Sequence, residues 1–111
     1  LQAKAAETGN VNYQALAHSV EIQREFGLRA RESFCLKVVE KDISSDRLEI
    51  TRSDMPKNGR EREIEIRTDA QRDALQQAKE FAQENGWRSL INPDMSLKEW
   101  KSFAYNTVQE F

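Results

Sequence analysis

Two alternating stretches on either side of an Asn-Gly pair limit what this chain can fold into. In Arg47-Leu48-Glu49-Ile50-Thr51-Arg52, Leu48 and Ile50 fall on one face. In Arg62-Glu63-Ile64-Glu65-Ile66-Arg67, Ile64 and Ile66 do the same. A period of two is the signature of a half-buried strand, and Asn58-Gly59 is a strong hairpin signal. Asp54 to Gly59, with Pro56, reads as the connecting loop, and Ser44-Ser45-Asp46 as a turn into the first strand. Lys37 to Val39 reads as a further short strand, so the sheet is antiparallel with two to three strands.

Outside this centre the apolar period is helical. From Val11, one stripe holds Tyr13, Leu16, Ala17 and Val20, and another on roughly the opposite side holds Val11, Ala15, Ile22 and Phe26. A helix apolar on two sides is sandwiched within a domain. Asn10 suits its N-cap and Gly27 its C′ position. A second short helix follows from Arg29 or Ala30 to about Leu36. Thr68-Asp69-Ala70-Gln71 is a capping box, opening a helix whose buried face is Ala70, Ala74, Leu75, Ala78, Phe81 and Ala82. Asn85-Gly86 ends it, and Trp87 to Pro93 form a connection. Ser96-Leu97-Lys98-Glu99 caps a final helix striped by Leu97, Trp100, Ala104, Val108 and Phe111. The expected fold is α+β: two N-terminal helices, a small antiparallel sheet with a β-hairpin, then two C-terminal helices. Residues 1–10 are a linker or frayed lead-in, and 11–111 form one unit.

Composition excludes several classes. The chain has 111 residues, is 32% charged and carries a formal net charge of -2. It is therefore no free-standing basic DNA-binding module unless its cations gather on one face. Cys35 is the only cysteine, which rules out an internal disulfide and a cysteine-based zinc site; within Phe34-Cys35-Leu36 it reads as an inert core thiol. No apolar run approaches the ~18 residues of a membrane span, and no signal peptide is visible. A reduced, cytoplasmic setting is expected. A start at Leu1 and an end at Phe111, inside an amphipathic pattern, suggest a piece of a longer polypeptide.

Read singly, the polar residues say little. Arg29, after a glycine turn, describes a solvated arginine at a helix start, with Glu32 as an i, i+3 surface partner. The alternative is that Glu32 and the backbone hold a guanidinium rigid to grip a phosphate bidentately. Arg52, Lys57 and Arg60 against Asp54 leave the loop at +2. Arg62 and Arg67 are nearly cancelled by Glu61, Glu63 and Glu65, so the return strand reads as a solvated, neutral face. His18 reads as a half-buried histidine, Tyr13 and Tyr105 as packing residues, Trp87 and Trp100 as core anchors. Nothing resembles a phosphate-binding glycine loop, a Ser-His-Asp set or a metal cluster.

The order of three stretches carries more. Glu21-Ile22-Gln23-Arg24-Glu25-Phe26-Gly27-Leu28-Arg29-Ala30-Arg31-Glu32-Ser33 resembles the entry to the catalytic domain of tyrosine recombinases of the phage-integrase family. Mobile-element integrases write it as Gln-x-x-Phe-Gly-Leu-Arg-x-x-Glu. Lys57-Asn58-Gly59-Arg60-Glu61-Arg62-Glu63-Ile64 is similar to their Lys-Gly-Gly-Arg-x-Arg-x-Ile hairpin, and Arg67 to Arg72 to the start of their next helix. The resemblance covers roughly residues 20 to 111. It implies the N-terminal part of a catalytic domain that cuts and rejoins DNA strands through a 3′-phosphotyrosyl link, with no cofactor and no metal.

By position, the resemblance makes Arg29 the first catalytic arginine, Glu32 its acidic support and Lys57 the general acid. It implies DNA contacts by Arg31, Arg52, Lys57, Asn58 and Arg60. It further implies a bacterial, nucleoid-associated protein that oligomerises on DNA, while the chain alone is expected to self-associate through its last helix. Glu65 stands where relatives often carry proline, and Asn58 where they carry glycine. No His-x-x-Arg occurs, since His18-Ser19-Val20-Glu21 lacks the arginine, and no tyrosine follows in the right context. This half-site alone is therefore expected to be inactive. Two other readings stay open: a non-enzymatic α+β interaction module presenting Trp100, Phe103 and Phe111 to a partner, and an accessory segment of a conjugative DNA-processing protein.

Overall fold

The first helix, α1 (Val11–Phe26), ends because Gly27 takes a left-handed conformation with φ of 67°. A Cβ there would meet nothing within 4 Å, so backbone conformation, not crowding, selects glycine. The computed structural model describes residues 11–54 and 61–109. The expected N-cap at Asn10 and the Asn58-Gly59 turn lie outside them.

Helix α2 (Ala30–Cys35) follows after Leu28 and the extended Arg29. Ser33, fully buried, donates its hydroxyl to the Ala30 carbonyl and accepts from Gln23 Nε2 at 3.1 Å, tying α2 to α1. Strand β1 (Arg47–Ile50) pairs antiparallel with β2 (Arg62–Glu65), with Leu48 opposite Ile64 and Ile50 opposite Arg62. Leu48 and Ile50 are buried, Ile64 is half-buried and Ile66 is buried just past the strand, as the alternation predicted. Helices α3 (Asp69–Asn85) and α4 (Leu97–Gln109) complete the order. Both expected capping boxes form. Thr68 Oγ1 accepts from the Gln71 amide at 3.1 Å, and Ser96 Oγ from the Glu99 amide at 3.1 Å. Gly86, with φ of 71°, closes α3.

The core joins these layers. Helix α3 packs along α1 and buries Ala74, Leu75, Ala78, Phe81 and Ala82, while Ala70, in the first turn, is exposed. Trp100, fully buried on α4, meets Phe34 of α2 edge-on at 6.3 Å and Trp87 at 6.3 Å. Trp87 in turn stands against Phe81 at 5.4 Å. Rings of this size bury enough area to dock a helix whose backbone stays distant. Trp100 is the core anchor the sequence suggested, and the alternative partner face over Trp100, Phe103 and Phe111 thereby loses its largest residue. One expectation changes. Tyr105, expected to pack, is 65% exposed.

The expected strand at Lys37 to Val39 is a 3-10 turn, Val38–Glu40, and the sheet has two strands among the described residues. Its amides bond back along the chain, Glu40 to the Lys37 carbonyl and Lys41 to the Val38 carbonyl. Val38 is buried and the turn packs against α3. β-branched residues favour a strand only where a neighbouring strand takes their hydrogen bonds. Here the neighbouring acceptor is a side chain: Asp54, fully buried at the end of a 3-10 turn over Arg52–Asp54.

Asp54 Oδ1 accepts from the Lys37 amide at 2.7 Å. Its Oδ2 accepts from Lys41 Nζ at 2.5 Å and from the Thr51 amide and hydroxyl at 2.9 Å each. Burial alone pushes this carboxyl up, but the bonds from Lys41, Lys37 and Thr51 outweigh it and hold it below the ordinary carboxylate value. A group depressed in the folded state contributes fully above its unfolded value and loses that contribution as pH falls through the folded one. Asp54→Asn is thus expected to lower stability by about 3 kcal/mol at neutral pH, by leaving Lys41 without its counter-ion. Urea denaturation should show this gap from wild type narrowing in acid, and a pH-independent gap would contradict the assignment.

Candidate half-site for phosphate

Arg29 is the residue from which α2 starts. Its backbone is extended, with φ of -73° and ψ of 156°, and its amide donates to Glu32 Oε1 at 3.0 Å. An acidic side chain reaching back to the residue before its helix is half of a capping box, and it fixes where the helix begins. The Arg29 side chain is exposed, and its guanidinium makes no hydrogen bond or ion pair among the described residues.

The same oxygen of Glu32 has a second donor. Arg62 Nη2, on β2, reaches Glu32 Oε1 at 3.0 Å. The ion pair of Glu32 therefore runs to the strand, while its bond to Arg29 is through the backbone. One carboxylate oxygen links the Arg29 turn to the strand that returns from segment 55–60. Glu32 is well covered and Arg62 about half-exposed, with side-chain exposures of 18% and 46%.

The two limbs that bracket segment 55–60 are both tied to α2 or its exit. Asp54, at the outgoing limb, binds the amide of Lys37 just past α2. Arg62, at the returning limb, binds Glu32 in the first turn of α2. Between them Arg52 and Glu61 approach to 3.9 Å as an open surface pair, which holds little by itself. Lys57, Asn58 and Arg60 lie outside the described residues. Arg31 turns to a different feature, an apolar groove of about 830 Å³ between α1, α2 and α4. Leu16, Val20, Phe34 and Tyr105 line it and Lys101 stands with Arg31 along its wall.

Two residues of this arrangement were given no site role by sequence reasoning. Arg62 lay in an alternating Glu/Arg strand that read as a solvated face, and nothing in that pattern marks one arginine as paired to a helix. Asp54 read as an acid diluting a basic loop; Thr51 is a local partner, but the Lys41 and Lys37 donors that complete its set lie thirteen and seventeen residues away. At the C-terminal end of α1, Gln71 Nε2 bonds the Glu25 carbonyl at 2.9 Å, so the cap of α3 also braces the approach to Gly27.

His18 is half-buried and stacks on Phe81 at 5.1 Å. Burial lowers its pKa against the opposing pull of Glu21, which fits a packing role at neutral pH. Among the described residues no cluster of acids, histidines or cysteines could hold a metal ion, and no helix is long and apolar enough to cross a membrane.

A family model described as integrase matches residues 3–107. The chain belongs to the integrase family, and its role is integrase-like, in DNA recombination. No curated protein and no solved structure matches it.

Cys35, the last residue of α2, is half-buried, and burial pushes its thiol up despite the pull of Lys37 and Arg31. A thiol kept protonated reacts slowly. Its reaction with a disulfide reagent at neutral pH should be at least about tenfold slower in the folded chain than in urea; equal rates would show that the thiol is not held back.

Proposed function

We propose that this chain supplies one half of the active site of a tyrosine recombinase. Arg29 clamps the scissile DNA phosphate, Lys57 serves as general acid, and Glu32 sets the turn from which Arg29 projects. The observation that carries this reading is an Arg29 guanidinium with no partner among the described residues, on a backbone fixed by Glu32 Oε1 at 3.0 Å. A guanidinium stays charged at any working pH and presents paired donors to two phosphate oxygens. Its stem is held by a capped helix, so little ordering cost remains when phosphate arrives.

The reaction follows from these roles. A tyrosine hydroxyl gives up its proton to a base or water and attacks phosphorus, forming the 3′-phosphotyrosyl bond as the bond to the 5′ oxygen breaks. The electron pair of that bond leaves with the 5′ oxygen, and Lys57 protonates it. Arg29 neutralises charge on the non-bridging oxygens in the transition state. Attack by the freed 5′-hydroxyl of another strand reverses the steps and reseals the backbone. The histidine, second arginine and tyrosine that complete the site come from sequence other than these 111 residues, which hold no His-x-x-Arg. DNA is the partner, and assembly on DNA brings further protomers together.

The test uses the natural full-length polypeptide and its recombination site carrying a nick beside the scissile phosphate. Wild-type protein should accumulate a covalent protein–DNA adduct, and Arg29→Ala should form it about a hundredfold more slowly or not at all. Adduct formation by the variant at the wild-type rate would remove Arg29 from the site.

A further inference from the structure

Glu32 stands where it could disable the residue it supports. A carboxylate three residues after an arginine on a helical turn is well placed to form an ion pair with it. An Arg29 guanidinium captured by Glu32 would meet a DNA phosphate as a competitor for an existing partner. The arrangement avoids this through Arg62. Its Nη2 lies 3.0 Å from Glu32 Oε1, the oxygen that also receives the Arg29 amide at 3.0 Å. Glu32 is thus engaged twice, by the backbone of Arg29 and by the charge of Arg62, and its remaining attraction for the Arg29 side chain is weakened.

We propose that Arg62 is a positioning residue: by holding the Glu32 carboxylate it keeps that acid off the Arg29 guanidinium and leaves Arg29 open to DNA phosphate. This rests on the phosphate role of Arg29 given above. The pair is sheltered enough to persist, since the Glu32 side chain is only 18% exposed. The other arginines of this strand pair do not share the arrangement. Arg47 binds Glu63 across the sheet at 2.7 Å and Arg67 binds Glu65 at 3.0 Å, both as exposed pairs. Arg62 is the arginine of β2 whose counter-ion lies on the helix that Arg29 begins.

Two measurements on the 111-residue chain separate this idea from the reading beneath it. The first follows the Arg29 side-chain Nε–H signal by nitrogen-15 NMR. In wild type it should show free rotation and rapid exchange with water. In Arg62→Ala it should slow as Glu32 takes hold, and Glu32→Gln added to that variant should release it again. The glutamine keeps a carbonyl oxygen for the Arg29 amide while losing the charge. An Arg29 signal unchanged by Arg62→Ala would overturn the proposal.

The second measures binding to a short mixed-sequence duplex at low salt by fluorescence anisotropy. Arg62→Ala should weaken binding about threefold, and Glu32→Gln in its background should bring it back close to wild type. Arg47→Ala, which removes equal charge from the same sheet, should change binding less. Equal losses for Arg47→Ala and Arg62→Ala, or no rescue by Glu32→Gln, would reduce Arg62 to general surface charge and sink the proposal. Arg29→Ala judges the underlying role separately: wild-type binding by that variant defeats the phosphate clamp, whatever the Arg29 signal does in Arg62→Ala.

Discussion

A single buried carboxylate constrains the middle of this fold. Taking an ion out of water costs several kcal/mol, so a fully buried aspartate persists only where its lone pairs are filled. Asp54 meets that condition with Lys41, the amides of Lys37 and Thr51, and the Thr51 hydroxyl. These donors come from two places, the stretch that leaves α2 and the stretch that leaves β1. Satisfying one acid therefore brings the helical entry and the sheet together. It also decides the path of residues 37 to 41. The Lys37 amide points at a side chain, and the chain winds into a 3-10 turn that drops Val38 into the core against α3. A strand in that place would have directed the same donors elsewhere and left Asp54 short of partners.

The second tie is lighter and sits nearer the surface. Glu32 and Arg62 join the first turn of α2 to β2, and Arg62 lies opposite Ile50 in the ladder, so the pair also locates β1. An ion pair at this exposure contributes little to stability. Its value is geometric, because it ties the first turn of a six-residue helix to the strand beside it. Gln23 to Ser33 serves the same end from the side of α1, and Gln71 to Glu25 steadies the turn that precedes it. Each bond is modest. Together they leave the Arg29 backbone little freedom, while its guanidinium has no partner among the described residues.

What could be read from the sequence was local. Thr68 with Gln71 and Ser96 with Glu99 form caps through bonds three residues apart, and Gly27 and Gly86 end helices by conformation alone. Leu48 and Ile50 alternate because one face of a short sheet is buried. Such signals depend on near neighbours and survive in any fold that contains the element. Val38 and Val39 misled because their preference for strand was overruled by a partner seventeen residues after Lys37. Tyr105 misled in the opposite sense, since a helical stripe does not tell which of its large residues a neighbour will cover. The half-site divided along the same line. Arg29 and Glu32 were visible as an arginine at a helix start and an acid three residues on, whereas Arg62 and Asp54 acquire meaning only when β2 and the exit of α2 come together.

The two kinds of tie suit the two tasks that the proposed chemistry sets. A phosphate clamp works best when it is charged always and ordered beforehand, because ordering left until binding is subtracted from the stabilisation it gives. Arginine on a capped, doubly braced helix meets both needs. A proton donor to a leaving group has to follow an oxygen that moves as its bond breaks, so a lysine reached through fixed limbs is the complementary solution. Asp54 on one limb binds the exit of α2, and Arg62 on the other binds its first turn. The helix that carries the proposed clamp is thereby also the element to which both limbs bracketing segment 55–60 are tied.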